Sequence, residues 1–167
     1  MSFAAGTPSW LISLLSVSVG FVLGILGKPL EWHVMSGFRA RQARRNIYAD
    51  LALYFARFDR MSAEGIDPEN AAIVLGVTDF PVYEHYKAQE YELFLRIPEW
   101  QGLKMLVGSI RYQAGILRDG HRTQNDLALF YREVQNALNQ GYVSRDLDKK
   151  LLEQLRGKQL SRLQRIK

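Results

Sequence analysis

The residues with the means to do chemistry are few and scattered. The three histidines, His33, His85 and His121, fall in separate segments, and none has the HExxH or ExxH spacing that turns two ligands to one helix face. The densest local cluster is Asp119, His121 and Asp126. A carboxylate beside an imidazole could position a water or hold a metal. Gly120 and the short polar residues around it also describe an ordinary turn with capping side chains, and that is the expected outcome.

A second cluster joins Glu84, Glu90, Glu92 and Glu99 to Tyr83, Tyr86 and Tyr91. These carboxylates could be a catalytic pair or a docking surface for a basic partner; a solvated helix face over an aromatic core is the commoner result. No GxSxG, phosphate-binding loop, dinucleotide fingerprint or kinase signature occurs. The chain has no cysteine, so thiolate chemistry, disulfides and Cys-ligated zinc are excluded. Neither an enzyme nor a cofactor is expected; the remaining classes are binding and membrane attachment.

The elements that would position these residues read as all-α, with no alternating stretch that makes a strand. Trp10 to Leu26, WLISLLSVSVGFVLGIL, carries no charged side chain. A helix from Thr7 to Gly27 would span roughly 30 Å, the thickness of a bilayer's hydrocarbon core. A signal peptide wants its basic residues in front of the apolar run, whereas here they follow it. A single transmembrane helix is therefore expected, followed by a cytoplasmic domain of five to six helices. Lys28, Arg39, Arg41, Arg44 and Arg45 on the C-terminal side place that side in the cytoplasm and the N-terminus outside. Trp10 and Trp32 fit interfacial anchors.

Within that helix Ser9, Ser13, Ser16, Gly20, Gly24 and Gly27 follow at steps of four, three, four, four and three. They draw one narrow stripe, including a GxxxG, that suits self-association or a partner transmembrane helix. The expected divisions are 1–30 for the membrane segment, 31–62 for a basic stalk and first helix, 63–143 for a helical core and 144–167 for a basic C-terminal helix. Lys28-Pro29 marks a boundary or kink between the first two. Ile47, Leu51, Tyr54 and Phe58, widened by Tyr48 and Phe55, then form the inner face of the first helix.

Further helices are expected from Asp67, from Pro81 to Leu95, from Glu99 to Leu117, and from Gln124 to Asn139 with Gly141 as its C-cap. Ser144 would cap the last one, with Leu147, Leu151, Leu155, Leu160 and Leu163 facing inward. The Glu99–Leu117 helix, striped by Leu103, Leu106, Val107, Ile110, Ala114 and Leu117, reads as the central core helix. Gly108 and Gly115 within it weaken it, as at a close helix crossing.

The net charge of +5 is unevenly held. Residues 28–60 and 145–167 are basic and the body between them is acidic. Lys28, Arg39, Arg41, Arg44 and Arg45, with Arg156, Lys158, Arg162, Arg165 and Lys167, are the candidates for anionic lipid headgroups. Without aromatics to stack on bases, the tail makes nucleic acid an unlikely partner. A frayed, soluble end is the bland reading of the tail.

The layout resembles that of small bacterial single-pass inner-membrane proteins, and the likeness is compositional. Three functions remain open, the least favoured being a membrane-tethered enzyme that uses the Asp119/His121 region or the Glu84–Glu99 face, for which no site motif is present. The leading one is an anchored accessory, scaffold or sensor subunit that binds a partner. The alternative is a tethered effector, of the phage-exclusion or toxin kind, that acts by oligomerising at the bilayer.

Overall fold

A computed structural model describes residues 9–65, 67–120 and 123–164; side chains at 9–12, 15, 22–30, 33 and 164 lie outside the description. Among the described residues the protein is all-helical: α1 Ser9–Ala63, α2 Pro68–Gly76, α3 Pro81–Gln89, α4 Tyr91–Phe94, α5 Trp100–Asp119, α6 Gln124–Val143 and α7 Lys149–Gln164. They belong to two compact units, Met1–Arg39 and Ala40–Lys167, and the division falls inside α1.

In the first unit α1 passes Lys28-Pro29, the place expected for a boundary or kink, without the helix ending there. Proline removes one backbone donor, and the rungs on either side are enough to carry the helix through. Among the described residues, no helix is long and apolar enough to cross a membrane. The expected span, Trp10–Leu26, falls largely on side chains outside them.

In the second unit α1 is the centre. Ala40, Ala43, Ile47, Tyr48, Leu51, Ala52, Tyr54, Phe55, Ala56 and Phe58 are all buried. The expected face is there, and the small alanines beside it let neighbouring elements close over the helix's flanks as well. This helix, rather than α5, is the most enclosed. The α5 stripe is buried residue for residue as its spacing requires, and so are Leu127, Phe130, Val134 and Leu138 of α6.

Five local readings are corrected. The helix expected over 81–95 breaks at Glu90, whose φ of −125° and ψ of 48° leave the helical region. The break lets Phe94 of α4 meet Tyr83 of α3 edge to face, with ring centroids 5.5 Å apart. The α6 helix runs on to Val143, and the left-handed residue that follows is Arg145, at φ 62°, not Gly141. Gly141 instead leaves room for Leu147, whose side chain would overlap a Cβ there.

Ser144 donates back to the Gln140 carbonyl at 2.9 Å, closing α6. The start of α7 is capped by Asp148, which accepts from Leu151 N–H at 3.0 Å. Leu152 takes the inner place expected of Leu151, which is half-buried. Finally, neither Gly108 nor Gly115 has a neighbour within 4 Å of where a Cβ would stand. The close approach on α5 is at Gly102, where a Cβ would strike the Asp146 carbonyl.

Candidate membrane-facing helix and ionic site

Among the described side chains of the N-terminal unit nearly all are exposed. Leu14, Val17, Val19 and Phe21 are exposed, as are Trp32, Val34, Met35 and Phe38 further along. Of the small-residue stripe, Ser13, Ser16 and Gly20 lie on exposed helix, with nothing near Gly20. Ser9, Gly24 and Gly27 are on the same helix, where their surroundings lie outside the description.

The second unit contains an ionic cluster that sequence spacing does not reveal. Arg44 projects from α1 between two carboxylates. Its Nε donates to Glu99 Oε2 at 2.8 Å, and its Nη2 donates to Glu99 Oε1 at 2.5 Å and to Asp148 Oδ2 at 2.6 Å. The guanidinium also lies 5.6 Å from the Tyr48 ring centroid. The Tyr48 hydroxyl in turn accepts from Asp148 N–H at 2.7 Å. The first helix, the α5 entry and the α7 entry are thus pinned at one point.

The hydrogen bond to Glu99 chiefly holds the Arg44 pKa above its ordinary value, burial opposing it. The Leu151 N–H, ahead of Arg44, holds the Asp148 carboxyl below its usual range. Burial pushes the Tyr48 hydroxyl up, out of reach of ordinary acid–base work. These groups brace the fold and hold charge.

A second tie joins the ends of the same unit: the Arg156 guanidinium forms a two-pronged pair with Asp59 and lies 5.6 Å from the Phe55 ring centroid. Arg44 and Arg156 are therefore corrections to the lipid-facing set. Each meets carboxylates of its own domain, with side-chain exposures of 27% and 22%. Arg39, Arg41, Arg45, Lys158 and Arg162 are exposed as expected. Arg165 and Lys167 lie outside the described residues, and so does the Lys28 side chain.

The described members of the two clusters singled out for chemistry have the following partners. Asp126 and Thr123 form a capping box: Thr123 N–H donates to Asp126 at 3.0 Å and Asp126 N–H to Thr123 Oγ1 at 3.2 Å. Asp119 contacts Arg118, and His121 is outside the described residues. Among the carboxylates, Glu84 holds Arg111 at 2.6 Å, Glu90 meets His85 at 3.0 Å, and Glu99 belongs to Arg44. Among the described residues no group of three or more His, Asp or Glu is placed to hold a metal ion.

One carboxylate was missed altogether. Asp50, on α1, accepts from Val82 N–H at 3.2 Å and so supplies the cap that Phe80, at the start of α3, cannot. Burial raises its pKa, against the Val82 and Tyr83 amides and Arg57. Only the fold brings position 50 to that helix end.

Comparison with known proteins finds no matching family model, no similar curated protein and no similar solved structure.

Proposed function

We propose that the chain is a single-pass membrane-anchored protein whose cytoplasmic helical domain binds another protein. The observation that carries the reading is the exposure of Leu14, Val17, Val19 and Phe21 on a helix whose sequence holds no charge from Ser9 to Gly27. Taking a fully exposed side chain of this kind out of water is worth about 1.5–3 kcal/mol, so these four, each a half to three-quarters exposed, together favour an apolar surrounding by roughly 4–8 kcal/mol. A bilayer supplies one to every face of the helix at once.

Trp32 and Phe38, exposed beside Arg39 and Arg41, suit the interfacial zone, where rings sit at headgroup depth and guanidiniums meet phosphate. The basic excess after residue 27 favours a cytoplasmic second unit. Ser9, Ser13, Ser16, Gly20, Gly24 and Gly27 are proposed to meet a neighbouring transmembrane helix. In the second unit, Met105, Tyr112 and Val143 remain exposed on well-formed helices, which supports binding through the domain surface.

The test is topology. The chain should stay with membranes through alkaline carbonate extraction, and a reporter fused after Lys167 should be active only in its cytoplasmic form. Release of the chain by carbonate, or activity of the exported reporter form, would overturn the proposal.

A further inference from the structure

The outer face of α5 is the surface with least explanation inside the monomer. Met105 is 72% exposed, Tyr112 69% and Ile116 46%. Beside them stand Gly108 and Gly115, each weakening the helix relative to alanine and each facing open space. At about 100° per residue, Lys104, Gly108, Tyr112, Gly115 and Asp119 fall within a sector of about 80°. Two glycines in that sector let another helix backbone come close, with Tyr112 inside it and Met105 and Ile116 along one edge.

We infer that a second copy of this chain packs on this face, its α5 antiparallel to the first about a two-fold axis between Arg111 and Tyr112. The argument is the symmetry of the face. In such a contact residues equidistant from the axis meet, so Gly108 lies opposite Gly115 of the partner subunit. The same operation sets Lys104 opposite Asp119 of the partner subunit, twice per dimer. A parallel pairing would instead set lysine against lysine. Among the described residues Asp119, 73% exposed, meets its sequence neighbour Arg118 through Oδ1 at 3.1 Å, a surface contact that leaves its carboxylate accessible to a second cation. Apolar area, backbone access and charge order thus select the same occupant.

This inference rests on the reading of the helical domain as a binding module, and does not depend on the membrane anchor. The absence of native cysteine makes it testable on the full chain in mild detergent. Tyr112→Cys should give a cross-linked dimer with a short bis-maleimide, whereas Arg132→Cys, exposed on α6, should stay monomeric. Lys104→Cys mixed with Asp119→Cys should cross-link more than either alone.

Gly108→Leu has room in the monomer, so its melting temperature should not fall, while the cross-linkable fraction should drop about tenfold, the factor that 1.4 kcal/mol represents. Lys104→Glu should lower it similarly, and Lys104→Glu with Asp119→Lys should restore it. Equal cross-linking at positions 112 and 132, or failure of the exchanged pair to restore the dimer, would overturn the contact. If sedimentation then shows a dimer, the domain associates through another face and the binding reading stands. If it shows a monomer while carbonate extraction and the reporter behave as expected, the anchor stands and the binding module has no self-partner.

Discussion

Replacing Arg44 by alanine removes one side chain and strands two carboxylates. Glu99 has a side-chain exposure of 12% and Asp148 of 31%, against 27% for Arg44 itself. Breaking a fully buried pair by deleting one partner costs about 3–5 kcal/mol, and an exposed pair is worth about 0–1 kcal/mol. This site lies between those limits, nearer the buried one on the Glu99 side, so a loss of about 2–3 kcal/mol is expected for Arg44→Ala. For a unit of this size that lowers the melting temperature by about 6–12 °C. Arg44→Lys keeps the charge without the planar fork and should lose about half as much. The assay is thermal and urea unfolding of the full chain in detergent, read by helical circular dichroism. Crossing Arg44→Ala with Glu99→Gln should give a coupling of about 1–2 kcal/mol. The pH sign follows from Asp148. Its folded pKa lies below the ordinary 3.8, so its stabilisation is present above that value and is lost as pH falls through the folded one. An Arg44→Ala protein within about 0.5 kcal/mol of the parent would refute the ionic cluster as a brace.

Two further outcomes follow from the packing. Asp50 has a folded pKa raised above the ordinary 3.8, so the folded state retains a proton that the unfolded chain releases, and its contribution to stability falls as pH rises from about 4 through the folded value. Asp50→Asn should flatten that dependence in pH-dependent melts, keeping an acceptor for Val82, while Asp50→Ala should cost about 1 kcal/mol at neutral pH; an unchanged pH profile for Asp50→Asn would count against the site. Gly102→Ala, forced against the Asp146 carbonyl, should cost about 1–3 kcal/mol in urea titration, whereas Gly115→Ala on the open face should gain about 0.5–1 kcal/mol in monomer stability.

Periodicity read the helices well wherever one face is apolar and the other polar. Ile47, Leu51, Tyr54 and Phe58 are buried as their spacing demands, and so is every member of the α5 stripe. What periodicity does not carry is pairing at a distance. Arg44 looked like the four other cations between Lys28 and Arg45 because its partners lie 55 and 104 residues on, and Arg156 answers a carboxylate 97 residues back. The same holds for Asp50, whose acceptor role depends on a helix end 32 residues away. Glycine was legible as a cost and illegible as a location. Gly108 and Gly115 suggested a close helix crossing, whereas the close approach on α5 is that of the Asp146 backbone, between α6 and α7, to Gly102, unremarked in the sequence.

The tie between Arg44 and Asp148 also sets a clock on synthesis. The helix that forms the centre of the second unit is made well before the α7 side chains that pack with it, Leu152, Leu155 and Arg156. At about 5–20 residues per second, roughly 5–20 s separate Arg44 from Asp148 on the ribosome. Through that interval Ile47, Tyr48, Leu51 and Phe55 have no completed shelter, and a chain cut short before α7 never acquires one. The arrival of α7 is therefore what completes the cover over this part of α1.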